Sequence, residues 1–244
     1  MEKIRFEYFG NASTGVFYGK ELWLIDGLQE GAGDYEPTPI WALDKLAGFS
    51  GNIHLLVTHN HPDHFSRSLV ADFCRQRPLE LIFFDPPFEN TVVDIPGLSL
   101  RYLEEGEWHD LLREGDGLQI YPIKMPHLSP KYFHLAHYGL LMGIEGRRFF
   151  FSADADLDED AYGRNHQLVC GCDLAILVYA YGFTKKNLAF TEEYIKAKHL
   201  VFNHLPARDR DRQSIRQKFP RFLQLNSVER CTVFMDKDDA YFIS

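Results

Sequence analysis

The chain has 244 residues, 45% hydrophobic and 14% aromatic, enough for one large domain or two small ones with a sizeable core. Its formal net charge of −9 disfavours nonspecific binding to nucleic acid or to an anionic membrane. No apolar run approaches the roughly 20 residues that cross a bilayer, and Met1-Glu2-Lys3-Ile4-Arg5 lacks the apolar stretch of a signal peptide; Cys74, Cys170, Cys172 and Cys231 have no zinc-finger spacing and read as thiols of a reducing, cytoplasmic compartment.

Ile4 to Phe9 alternates loosely and reads as a first strand, followed by a turn cluster, Gly10-Asn11-Ala12-Ser13. Gly15 to Tyr18 and Glu21 to Ile25, joined by Gly19-Lys20, read as a hairpin that ends at Asp26-Gly27. Leu28 to Pro39, rich in Gly, Glu and Pro, is a predicted loop. Ile40 to Leu46 is a short helix closed by Gly48 and Gly51. Ile53 to Thr58 is short, apolar and partly β-branched, the pattern of a buried strand. From Ser66 to Arg75, Leu69 and Phe73 are four apart, as are Val70 and Cys74, which predicts a helix with one apolar face.

Leu79 to Phe84 is a strand stopped by Pro86-Pro87, and Leu98 to Leu103 and Gly117 to Lys124 read as strands around a meander. Gly139 to Ile144 and Arg147 to Ser152 form a second hairpin about Glu145-Gly146. Cys172 to Tyr179 is a buried strand, Thr191 to Lys198 a helix, and Leu200 to Asn203 a short strand that ends in His204. Arg208, Arg210, Arg212, Arg216, Lys218 and Arg221 stand against Asp209 and Asp211, either as a solvated helix face or as an anion-binding rim close to His204. Cys231 to Phe234 and Ala240 to Ile243 close the chain as strands, with Asp236 to Asp239 as the turn. Strands and helices alternate twice, each half opening with a hairpin, so the expected class is a layered α/β fold in a single domain over 1–244.

The chemistry gathers in Thr58-His59-Asn60-His61-Pro62-Asp63-His64-Phe65, where four metal-ligand side chains fall within six residues between a predicted strand and a predicted helix. In extended backbone alternate side chains point the same way, so His59 and His61 can converge on one ion. Pro62 fixes φ as the chain leaves the strand. Asp63 and His64 then sit at the turn into the helix and can face a second ion. Imidazole and carboxylate together suit zinc, manganese or iron. His54, His109, His166 and His199 have no such context and read as ordinary exposed or satisfied histidines.

This H-x-H-x-D-H run resembles the signature of the metallo-β-lactamase superfamily. The resemblance extends along most of the chain, through Ile25-Asp26-Gly27, Met125-Pro126-His127, Ser152-Ala153-Asp154-Ala155 and Leu200-Val201-Phe202-Asn203-His204. It implies a four-layer αββα sandwich and a dinuclear centre, with His59, His61 and His127 on one ion, Asp63, His64 and His204 on the other, and Asp154 bridging. His134 competes with His127, because the interval to Tyr138-Gly139 is long unless Leu128 to Phe133 is an inserted loop. Asp156 and Asp158 compete with Asp154, whose flanks Ala153 and Ala155 depart from the usual glycine-aspartate-threonine. Asp26 is either a residue that supports the ligands from behind or a turn aspartate. His134, His137 and Tyr138 are candidates to face substrate or to take ordinary packing roles.

The expected activity is hydrolysis of an ester-like bond by a metal-bound hydroxide. Two divalent ions, zinc by default and manganese or iron otherwise, would lower the pKa of water toward roughly 7, and Asp63 and Asp154 would be the catalytic carboxylates. The expected substrate is a small, anionic molecule such as a lactone. The alternative is a phosphodiesterase or nuclease acting on nucleotides or RNA, and a noncatalytic sensor is a third reading. Phe9-Gly10-Asn11-Ala12-Ser13, the Asp63-His64-Phe65 ending and the late Ile195 to His204 run most resemble the compact branch that contains ascorbate-6-phosphate lactonase. No membrane partner is expected, nucleic acid is disfavoured, and a homo-oligomer is admitted.

Overall fold

A computed structural model describes residues 3–31, 33, 35–112, 117–206, 212–226 and 228–243, with the side chains of 212–214 left aside. The chain divides into two compact units: 1–103 with 204–213 and 234–244, and 104–203 with 214–233.

The first unit holds a seven-stranded sheet. Its strands are β1 (Ile4–Gly10), β2 (Ser13–Tyr18), β3 (Glu21–Ile25), β4 (Asn52–Val57), β5 (Leu79–Phe83) and β6 (Leu98–Tyr102), with the last strand of the chain, Ala240–Ile243, on the outer edge of β1. β1, β2 and β3 run antiparallel, and β3 to β6 run parallel. Parallel strands need crossovers. These are α1 (Ile40–Gly48), α2 (Arg67–Cys74), and a short turn of helix at Pro86–Phe88 that leads into α3 (Glu89–Val92). Ala42 and Leu46 of α1 and Val70, Phe73 and Cys74 of α2 pack with Leu22, Leu24, Ile53, Leu55, Val57, Leu81 and Phe83 in one core. Helical residues four apart on α1 thus meet strand residues two apart, as the two periodicities require. Ser66 caps α2, its hydroxyl accepting the Leu69 N–H at 3.3 Å.

The second unit repeats the plan. β7 (His109–Asp110), β8 (Leu118–Lys124), β9 (Tyr138–Ile144) and β10 (Arg147–Phe151) are antiparallel neighbours. β11 (Leu174–Val178), β12 (Leu200–Asn203) and β13 (Cys231–Val233) then follow β10 in parallel, and the outer-edge strand of the first unit is β14. The crossovers are α4 (Glu159–Arg164), α5 (His166–Val169), α6 (Lys185–Phe190) and α7 (Arg212–Leu225). Phe202 and Phe219 meet edge to face with centroids 5.3 Å apart, and Tyr162 and Phe190 do the same at 5.2 Å.

Three expectations about connectivity change. Residues 98–102 and 118–124 do not share a meander, because β6 is the parallel edge of one sheet and β8 an antiparallel strand of the other. The last two strands are not a hairpin either: β13 pairs with β12, and β14 with β1. The helix expected over 191–198 starts earlier. Thr184 caps α6 through the Asn187 N–H, and the run continues as a π-turn over Thr191–Ile195 until Lys196 adopts φ 45°. All four cysteines are free thiols. No helix among the described residues is long and apolar enough to cross a membrane.

Candidate metal centre

β4 ends at Val57, and the chain enters the histidine run through Thr58, whose side chain and amide both turn to Asp26 at the end of β3. Asp26 is 1% exposed. Its Oδ1 accepts the Thr58 N–H at 2.9 Å, and its Oδ2 accepts the Thr58 hydroxyl at 2.8 Å and the His64 Nδ1–H at 2.8 Å. The Thr58 oxygen in turn lies 3.0 Å from His59 Nδ1. A hydroxyl that has given its proton to a carboxylate accepts there, so His59 carries its proton on Nδ1. One carboxylate therefore sets both tautomers and leaves Nε2 of His59 and of His64 as the ligating atoms.

Those lone pairs converge on other donors of the same unit. His64 Nε2 lies 3.1 Å from His204 Nε2, and Asp63 Oδ2 lies 3.9 Å and 3.7 Å from the two. One donor atom from each of Asp63, His64 and His204 falls within 4.8 Å of the others, and all three residues are buried. His59 Nε2 and His61 Nδ1 lie 3.1 Å apart. Opposed imidazole nitrogens and a carboxylate oxygen at this spacing are the donor set of a borderline cation and fit a divalent metal.

Asn11 holds this group together, and its sequence context gives only a turn. It adopts φ 49°, in the left-handed region that asparagine tolerates. From there its Nδ2 donates to the Asp63 carbonyl at 2.7 Å, and its own carbonyl accepts the His204 N–H at 3.1 Å. His204 itself sits at φ 58° directly after β12. The described residues of the predicted loop, 28–39, carry no helix or strand. The loop is pinned to the histidine run by Gly27 N–H to the His64 carbonyl, Gly31 N–H to the Pro62 carbonyl and Ser66 N–H to the Leu28 carbonyl.

In the second unit His127, after β8, and Asp154, after β10, are drawn together. Leu128 N–H donates to the Asp154 carbonyl at 2.6 Å, Asp156 N–H to the Pro126 carbonyl at 2.8 Å, and His127 and Ala155 form an isolated bridge. His127 Nε2 then lies 3.6 Å from Asp154 Oδ2. His127 Nδ1 accepts the Ser129 N–H at 2.9 Å. His137 is 1% exposed and does not face solvent as a substrate residue would: its Nε2 accepts the Asp154 N–H at 3.0 Å. Tyr181 donates its hydroxyl to the Ala155 carbonyl at 3.0 Å and receives that of Tyr162 at 2.6 Å, bracing the same loop. Burial pushes both phenols well up, so they stay protonated donors.

The competitors take other roles. His134 is exposed and joins neither group of donors, so it does not rival His127. Tyr138 is buried as the first residue of β9, paired with Lys124. Asp158 caps α4 through the Ala161 N–H. Asp156 accepts the Leu157 N–H, and desolvation raises its carboxyl. Arg208, Arg210, Asp209 and Asp211 lie outside the described residues, while Arg216, Lys218 and Arg221 ride on α7. His54 lies between Glu80 at 2.5 Å and Glu21 at 2.8 Å and stacks on Trp23 at 3.8 Å, far along β4 from the histidine run.

No protein-family model matches the chain, and no curated protein matches it. Solved structures do. Igni18, a metallo hydrolase from the archaeon Ignicoccus hospitalis, matches with a TM-score of 0.69 at 14% identity, over 99% of each chain. The isothiocyanate hydrolase from Delia radicum gut bacteria matches with 0.69 at 14%, over 99% of this chain and 98% of that one. The metallo-β-lactamase fold protein YhfI from Bacillus subtilis matches with 0.68 at 12%, over 100% of both. Two mixed sheets with their helices therefore form the layered α/β fold of the metallo-β-lactamase type, which this chain shares with metallo-hydrolases.

Proposed function

We propose that the chain is a hydrolase with a dinuclear centre that cleaves an ester-like bond in a small, anionic substrate such as a lactone. The observation that carries this reading is the buried meeting of His64 Nε2 and His204 Nε2 at 3.1 Å beside Asp63, with Asp26 fixing the His64 tautomer. A cation between the two nitrogens would take a lone pair from each ring, with the Asp63 carboxylate beside them. Asp63, His64 and His204 would hold one ion. By the resemblance, His59, His61 and His127 would hold the other, with Asp154 shared by both. Zinc is the expected metal in a cytoplasmic protein, and manganese or iron would suit the same donors.

When bound, two such ions acidify water toward a pKa of about 7 and polarise the substrate's oxygen. The chain's own groups do the rest. Asp63 would hold the proton of the attacking water and return it to the leaving oxygen. Asp26, Thr58 and Asn11 keep the donors aimed, while His137 and Tyr181 fix the Asp154 loop. The finer likeness to the ascorbate-6-phosphate lactonase branch belongs to this proposal and rests on the sequence runs that suggested it.

The test pairs metal content with turnover. Protein loaded with zinc or manganese is assayed on lactones, thioesters and phosphodiesters beside Asp154→Asn. Lactone or carboxylic ester cleavage lost in the variant supports the proposal. Preference for a phosphodiester moves the reading to nucleotide chemistry. Less than about one ion per chain, with no further uptake, ends the dinuclear reading.

A further inference from the structure

The described residues of the loop over 28–39 are tied to one another and to the start of α2. The neck of the loop is closed where the Thr38 N–H donates to the Gln29 carbonyl and the Gln29 N–H to the Thr38 hydroxyl. Gly31 sits at φ 81°, and a Cβ there would lie 2.7 Å from both Pro37 N and the Tyr35 carbonyl. Only glycine lets the chain cross itself so closely. Glu30 accepts the hydroxyls of Ser66 and Ser68 at the start of α2, which adds a side-chain anchor to the three main-chain ones. A self-packed surface loop with adjoining ends is a common way to present one functional side chain.

The side chain presented is Tyr35. Its ring lies 4.3 Å from the His204 ring, tilted by 63°. His204 is 1% exposed, whereas Tyr35 is half-buried and stands outside the hydrophobic core cluster of its unit. The ring is thus fixed against one of the donors without being part of the packing that folds the unit.

We infer that Tyr35 is a specificity-determining residue whose ring walls the Asp63–His64–His204 group and favours substrates with a flat apolar substituent next to the carboxyl-derived bond. This rests on the hydrolase reading above. A substrate carboxyl brought to those donors has the phenol ring beside its substituent, where an offset or edge contact between rings favours a flat group by about three- to tenfold over a methyl group.

The test needs no turnover. Cobalt-loaded wild-type, Tyr35→Phe and Tyr35→Ala proteins are titrated with benzoate and with acetate, following the visible cobalt bands. Wild type and Tyr35→Phe should bind benzoate about three- to tenfold tighter than acetate, and Tyr35→Ala should bind the two alike at unchanged cobalt stoichiometry. A wild-type ratio in Tyr35→Ala overturns the inference. Loss of the ratio in Tyr35→Phe also overturns it, because the hydroxyl and not the ring would then be responsible. Wild-type protein that takes up no cobalt overturns the hydrolase reading and the inference with it, and that outcome is read before any carboxylate is added.

Discussion

Replacing Asp26 by asparagine tests how the donors are aimed. The volume hardly changes, but one oxygen becomes an NH2 group. The surviving oxygen must stay with the Thr58 N–H, which can only donate and lies 2.9 Å away. The NH2 then faces His64 Nδ1, now 2.8 Å from Oδ2. Two donors cannot face each other at that distance, so the ring moves its proton to Nε2. That places an N–H at the spot 3.1 Å from His204 Nε2 where a lone pair is needed. Partners behind metal-binding histidines typically contribute 10- to 100-fold in affinity, which is about 1.4–2.7 kcal/mol. Competition against a chromophoric zinc chelator reads this directly: Asp26→Asn should hold zinc about 10- to 100-fold more weakly than wild type, with melting of the metal-free forms as the folding control. A dissociation constant within about threefold of wild type would refute the tautomer argument.

Ala153 occupies φ 45°, where a side chain costs about 1–2 kcal/mol; after the entropy that glycine loses on folding, Ala153→Gly should raise stability by about 0.5–1 kcal/mol in urea melts. The hydrogen bond from His54 holds the Glu80 carboxyl below its ordinary 4.5. A lowered carboxylate stabilises the fold above the unfolded pKa and loses that contribution as pH falls through the folded one, so Glu80→Gln should weaken the protein at pH 6, and its difference from wild type should shrink as pH falls through the carboxylate range. Burial pushes the Cys172 thiol up to about 12, so iodoacetamide at pH 8 should leave it intact in the folded protein while the half-exposed Cys170 reacts. Zinc at about 100 times its dissociation constant should stabilise the fold by about 2.7 kcal/mol, seen as a higher melting temperature that a chelator reverses.

The local patterns carried much of this architecture. Both hairpins and the buried strand over 52–57 are written in alternation, β-branching and glycine turns, and the H-x-H-x-D-H spacing marks the loop where Asp63 and His64 meet. Sheet membership was not legible: whether 98–102 pairs with 79–83 or with 118–124 depends on contacts far apart in sequence, and a meander is the simpler local reading. The same holds for 231–233 and 240–243, which a short acidic turn separates but opposite sheets claim. The supporting groups were hidden for a related reason. Nothing in Gly10-Asn11-Ala12 says that the amide reaches the Asp63 carbonyl 52 residues away. His137 offers its ring to an amide rather than to solvent, and spacing alone does not separate the two uses.

The Ser129 amide on His127 Nδ1 has a kinetic meaning. A neutral imidazole that gives Nε2 to a metal must carry its proton on Nδ1, where the Ser129 N–H already points. If His127 holds an ion through Nε2, as proposed above, the 128–133 segment, with its turn of helix at Pro130–Tyr132, would have to withdraw that amide. Ion capture there would then be a two-step event, and its rate would level off at high metal concentration instead of climbing without limit. The Ser129 amide proton would exchange with solvent on one schedule in the empty protein and on a faster one once the ion is seated.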